Sequence, residues 1–121
     1  MTPETFVDSN GTNLPYRLYL PADYDPAKAY PVMLFMHGAG ERGTDNALQV
    51  TYNVGVIDRI INSSNPDEAC IIIAPQVPED KQWVDTPWSN GSYSVDGVPQ
   101  SQYMAATLEL LAEIQNTYHV D

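Results

Sequence analysis

A chain of 121 residues makes one domain at most, and a small one for an enzyme with a buried site. Hydrophobic residues at 43% suffice for a packed core and argue against disorder. Sixteen acidic against five basic side chains give a net charge of −11, which repels nucleic-acid phosphates and anionic lipid and argues against both as partners.

The N-terminus, Met-Thr-Pro-Glu-Thr, lacks the basic start and apolar core of a signal peptide, and no apolar stretch approaches the ~20 residues needed to span a bilayer. A true start at Met1 would place the chain in the cytoplasm, and an upstream export segment would place it outside. The sequence leaves both open. Thr5 to Asp8 and the alternating Leu14 to Leu20, split by Ser9-Asn10-Gly11, predict an antiparallel hairpin. Pro31 to Met36 is an unbroken apolar run and predicts a strand buried on both faces, as in a parallel sheet under helices.

Ala47 to Ile61 offers Val50, Val54, Ile57, Ile60 and Ile61 at roughly helical spacing. Cys70 to Pro75 then repeats the signature of a buried strand, and its β-branched run disfavours helix. Strand, helix and strand together predict a βαβ unit in an α/β fold. The single cysteine, Cys70, excludes an internal disulfide and reads as a buried structural thiol. From Val77 to Gln100 the chain is rich in Pro, Gly, Asp and Ser, with Trp83, Trp88 and Tyr93 interspersed. A loop of that length is usually functional or disordered, and its aromatics argue against disorder. Ser101 to Tyr118 predicts an amphipathic helix, with Tyr103, Thr107, Leu110, Ile114 and Tyr118 in one stripe, Met104, Leu108 and Leu111 beside it, and Glu109 and Glu113 outward.

The chemistry-bearing segment is His37-Gly38-Ala39-Gly40-Glu41-Arg42-Gly43, directly after the first apolar strand. Closely spaced glycines at a strand exit free backbone N–H groups to point at a ligand. Acyl transfer needs such donors, because the tetrahedral intermediate places negative charge on the former carbonyl oxygen. The strings Leu14 to Pro21, Pro31 to Met36 and His37 to Asn46, with Ala74-Pro75-Gln76, Pro78-Glu79 and Trp83, resemble the esterase and "predicted peptidase" group of α/β-hydrolases. Polyhydroxybutyrate depolymerase-like and feruloyl or acetyl-xylan esterases are relatives of that group. The resemblance implies that Ala39 and Gly40 supply oxyanion-hole N–H groups on a turn formed by His37 and Gly38. It further implies a small-molecule ester or acylated carbohydrate as substrate of the complete enzyme.

The same resemblance exposes a gap. The family's nucleophile lies in Gly-x-Ser-x-Gly, and none of Ser9, Ser63, Ser64, Ser89, Ser92, Ser94 or Ser101 has that setting. No member of a Ser, Asp, His triad is therefore assigned. The expectation is the N-terminal part of one α/β-hydrolase domain, residues 1–121, catalytically incomplete alone and ending before the nucleophile elbow. No cofactor or metal is expected, since His37 and His119 stand in no His-x-x-x-His pattern and Cys-x-x-Cys is lacking. Among neighbouring residues, Glu41 and Arg42 read as an ion-pair anchor, Asp45 or Asn46 as a helix N-cap, and His119 as complementing a helix C-terminus. Trp83, Trp88 and Tyr93 are candidate walls of a substrate pocket. The competing reading is a small acidic α/β binding module whose loop 77–100 holds a sugar or peptide. A redox or nucleotide-binding domain lacks the glycine spacing it needs.

Overall fold

The computed structural model describes residues 1–121. Four strands form one mixed sheet in the order β1-β2-β4-β3: β1 Thr2–Val7, β2 Asn13–Tyr19, β3 Val32–Leu34 and β4 Ile71–Pro75. The hairpin β1–β2 pairs antiparallel with Thr2 opposite Leu18, β2 pairs antiparallel with β4, and β3 pairs parallel with β4 through Val32 and Ile71. Helix α1, Gly55–Ile61, lies within the β3-to-β4 crossover, and α2, Gln102–Thr117, follows the long loop. The α/β architecture expected from the sequence is present.

β4 is the buried centre because both of its faces are covered. Side chains alternate across a strand, so Ile71 and Ile73 meet α2 through Ala106, Leu110 and Ile114, with Leu14 and Leu18 beside them. Cys70 and Ile72 face the other way, onto Ile57 of α1, with Met33, Phe35, Val50 and Val54 around them. Burial raises the pKa of the Cys70 thiol, as suits a structural rather than a reactive group.

Three expectations need correction. The run 31–36 is packed on both faces, Val32 and Leu34 on the α2 side and Met33 and Phe35 on the α1 side, but it is not fully buried: β3 is an edge strand of three half-buried residues that pairs only with β4. Ala47 to Ile61 is not one helix. Leu48–Val50 forms a 3-10 turn, Asn53 takes a left-handed φ of 58°, and α1 starts only at Gly55. Val50, Val54, Ile57 and Ile60 still pack inward while Ile61 is exposed, so the spacing located most of the buried face but not the break. Along α2, Leu108 is exposed rather than flanking the buried stripe.

Ser101 caps α2, accepting from Met104 N–H at 3.2 Å. Glu109 does not simply face water: it accepts from the Ser9 N–H at 2.8 Å and from the Ser9 hydroxyl at 2.6 Å, tying the helix to the β1–β2 turn. After the helix, Tyr30 N–H donates to the His119 carbonyl and Val120 bridges Tyr30 in parallel, so residues 119–121 lie beside the segment leading into β3. His119 itself is exposed.

Candidate active site

In open α/β sheets, ligands bind beyond the carboxyl ends of parallel strands. Here that edge carries His37 to Gly43 after β3, and Gln76 and Val77 after β4. The two exits are laced together: Gly43 N–H donates to the Val77 carbonyl at 2.9 Å, and Val77 N–H donates to His37 Nε2 at 3.1 Å. Since Nε2 accepts, the ring proton sits on Nδ1, which donates to the Gly38 carbonyl at 2.7 Å. His37 is 6% exposed, and burial is the main cause that lowers its pKa below 6.5. The ring is thus held neutral and structural, as a turn residue should be.

A pH dependence follows from that burial. A lowered folded-state pKa means the unfolded chain binds more protons below pH 6.5, so the contribution of His37 to stability is complete above that value and fades as pH falls. Urea unfolding between pH 6.5 and about pH 5 should show the native chain losing stability more steeply than His37→Gln. Equal slopes would contradict the assignment.

Beyond His37, Ala39–Glu41 forms a 3-10 turn entered from Gly38 in extended conformation. Glu41 N–H reaches back to the Gly38 carbonyl, whereas the Ala39 and Gly40 N–H groups donate to no protein acceptor. The first N–H groups of any helical turn are left over in this way. Glu41 and Arg42 do not form the expected ion pair. The Glu41 carboxylate accepts from Asn53 Nδ2 at 3.0 Å, while the Arg42 guanidinium donates to two backbone carbonyls, Ala39 at 2.9 Å and Lys81 at 3.3 Å. Neither Asp45 nor Asn46 is an N-cap: Asp45 accepts from the Ala47 and Leu48 N–H groups, but the element that follows is a 3-10 turn whose cap position is Ala47, with no side-chain cap bond.

A buried glutamine, to which sequence reasoning gave no role, anchors the loop. Gln76 is fully buried at the end of β4; its Nε2 donates to Asp45 Oδ1 (2.9 Å) and the Glu41 carbonyl (3.2 Å), and its Oε1 accepts from Asn46 N–H (2.7 Å). The Gln76 bond first, then those from the Ala47 and Leu48 N–H groups, lower the pKa of Asp45. Asn46, at φ 49°, in turn donates to the Tyr16 and Glu4 carbonyls and accepts from Gln49, so the loop is bolted to β1, β2 and β4. The one signal in the sequence was a long polar side chain directly after an all-apolar strand, where burial demands partners.

A cleft of about 250 Å³ opens over the turn, lined by Gly38, Ala39, Arg42, Val77, Trp83 and Trp88 among others. Trp83 closes one wall: its indole N–H donates to the His37 carbonyl at 3.2 Å and its ring lies 5.2 Å from the imidazole. Trp88, 71% exposed, forms the rim, while Tyr93, 75% exposed, is not among the lining residues. The loop bearing these aromatics is ordered by 3-10 turns at Trp88–Asn90 and Val95–Gly97 and by a neck where Val84 pairs with Gln100 and Ser101 N–H donates to the Trp83 carbonyl. The cleft is mainly apolar, and Ala39, whose N–H has no protein acceptor, is among its lining residues.

Comparison with known proteins agrees with this reading of the fold. The family model described as "Putative esterase" matches residues 8–120. The chain belongs to this esterase family. A solved structure described as a thermostable esterase superposes with a TM-score of 0.79 and 32% sequence identity, covering 99% of this chain. The esterase segment spans 31% of that protein's chain. No curated protein sequence matches significantly. The fold is thus that of an α/β-hydrolase-type esterase, and the family is one of hydrolases.

Proposed function

We propose that this segment supplies the oxyanion hole of a serine-dependent carboxylic-ester hydrolase, with Ala39 and Gly40 as backbone donors and the nucleophile outside residues 1–121. The observation that carries the reading is the pair of unpartnered N–H groups on a clamped turn whose Ala39 lines an apolar cleft. None of the seven serines sits in Gly-x-Ser-x-Gly, and the matched esterase is about three times as long as this segment, which supports a nucleophile elsewhere in a longer polypeptide. In that enzyme a general base takes the serine hydroxyl proton as its oxygen adds to the ester carbonyl, the carbonyl π pair moves onto oxygen, and the Ala39 and Gly40 N–H groups stabilise that charge by hydrogen bonds. Trp83 and Trp88 flank the acyl or acyl-sugar group. The chain alone is inactive.

A fluorophosphonate that labels activated serines tests this. Residues 1–121 should take up no label and hydrolyse p-nitrophenyl acetate no faster than a blank, because oxyanion donors without a nucleophile leave little catalysis. The longer polypeptide should be labelled once, on a serine outside the segment. A stoichiometric adduct on any of the seven serines would overturn the proposal.

A further inference from the structure

Each of the two peptide groups of the turn whose N–H has no protein acceptor also has its carbonyl oxygen held by a side-chain donor. The Gly38–Ala39 peptide has its oxygen bonded by His37 Nδ1 at 2.7 Å, and the Ala39–Gly40 peptide has its oxygen bonded by Arg42 Nε at 2.9 Å. Hydrogen bonds on opposite ends of one amide reinforce each other, since withdrawing electron density at the oxygen makes the N–H a stronger donor. A guanidinium does this best, as its bond is charge-assisted and its charge is permanent. Arg42 meets no carboxylate here, although the chain holds sixteen acidic residues, and its second contact, to the Lys81 carbonyl, fixes the planar group in place.

We propose that Arg42 is a positioning residue that polarises the Ala39–Gly40 peptide and so strengthens the Gly40 N–H as an oxyanion donor. The inference rests on the oxyanion reading of the turn, and it assigns to Arg42 an electrostatic role distinct from loop anchoring. Arg42 does not touch the reacting atoms; it acts through the peptide it caps. Its effect falls on the transition state, where the carbonyl oxygen carries charge, and hardly on the neutral ground state.

The test uses Arg42→Met and Arg42→Lys, each read twice. In residues 1–121, the Gly40 amide nitrogen resonance should move in Arg42→Met, in the direction of a weaker bond at the Ala39 oxygen, with Arg42→Lys in between because its ammonium reaches one carbonyl without the planar fork. In the longer labelled esterase, Arg42→Met should lower kcat with KM unchanged. One oxyanion donor is worth about 100- to 1,000-fold in turnover. Cooperative polarisation contributes about 10–30% of a bond's strength, which predicts a loss of about 2- to 8-fold. An unmoved Gly40 resonance overturns the proposal, as does a moved resonance with unchanged kcat or a loss confined to KM. Ala39→Pro run alongside separates the two readings. If it abolishes turnover while Arg42→Met does not alter it, only the role of Arg42 falls; if neither variant alters turnover, the oxyanion reading falls as well.

Discussion

Replacing Ala39 by proline is expected to lower turnover of the complete esterase by about 100- to 1,000-fold while the protein stays folded. Proline removes the N–H outright, the one change that tests a backbone donor cleanly. The structure favours position 39 for this. Ala39 is the first residue of a 3-10 turn, where proline's fixed φ is tolerated, and its N–H bonds no protein acceptor that would be orphaned. Gly38 before it is extended, at φ −86° and ψ −171°, the conformation that a residue preceding proline adopts. Proline at 40 would instead press on Ala39, which is helical, so Gly40→Pro risks distorting the turn. The expected signature is a fall in kcat at near-constant KM, with unchanged circular dichroism. A loop that merely joins β3 to α1 predicts no loss from a variant that folds, and near-normal turnover of folded Ala39→Pro would remove the oxyanion assignment.

Leu110→Ala is expected to cost about 2–5 kcal/mol of folding stability. Leu110 is fully buried between α2 and the sheet, among Leu14, Ile71, Ile73 and Ile114, so truncation leaves a cavity that neither rigid element can collapse into. For a domain held by about 5–15 kcal/mol, that is a large fraction of the total. Urea unfolding checks it through the midpoint. The consequence reaches the cleft, because the α2 cap residue Ser101 donates its N–H to the Trp83 carbonyl and closes the loop neck. Loosening α2 should therefore increase solvent exposure of Trp83 before global unfolding, seen as a fluorescence shift at low urea. Leu108→Ala, an exposed position on the same helix, should cost under about 0.5 kcal/mol. Equal costs at the two positions would contradict the packing described.

Periodicity was enough to read the core elements. Alternation along Leu14 to Leu20 and the apolar run at β4 each mark a face that must leave water, and hydrophobic burial is non-directional, so pattern alone suffices. It failed where neighbours decide. How fully 31–36 is buried depends on whether a strand pairs with its outer edge, and Asn53 breaks the helix through a single positive φ that apolar spacing does not register. At the site, the glycine-rich string coincides with a 3-10 turn in which the Ala39 and Gly40 N–H groups have no protein acceptor. Adjacent opposite charges suggested an ion pair at Glu41 and Arg42, yet side chains on consecutive residues of a tight turn diverge, and each found a different partner. The polar bolts at Gln76 and Asn46 join residues about thirty apart, a distance over which no local pattern operates.

The most direct measurement is a crystal structure of the complete esterase carrying the phosphonate adduct, whose P–O⁻ oxygen stands where the oxyanion forms. That oxygen is predicted to lie about 2.7–3.1 Å from the Ala39 or Gly40 nitrogen, with Arg42 still bonded to the Ala39 carbonyl. A phosphonate oxygen bound by other donors, with the Ala39 and Gly40 N–H groups left to water, would contradict the account.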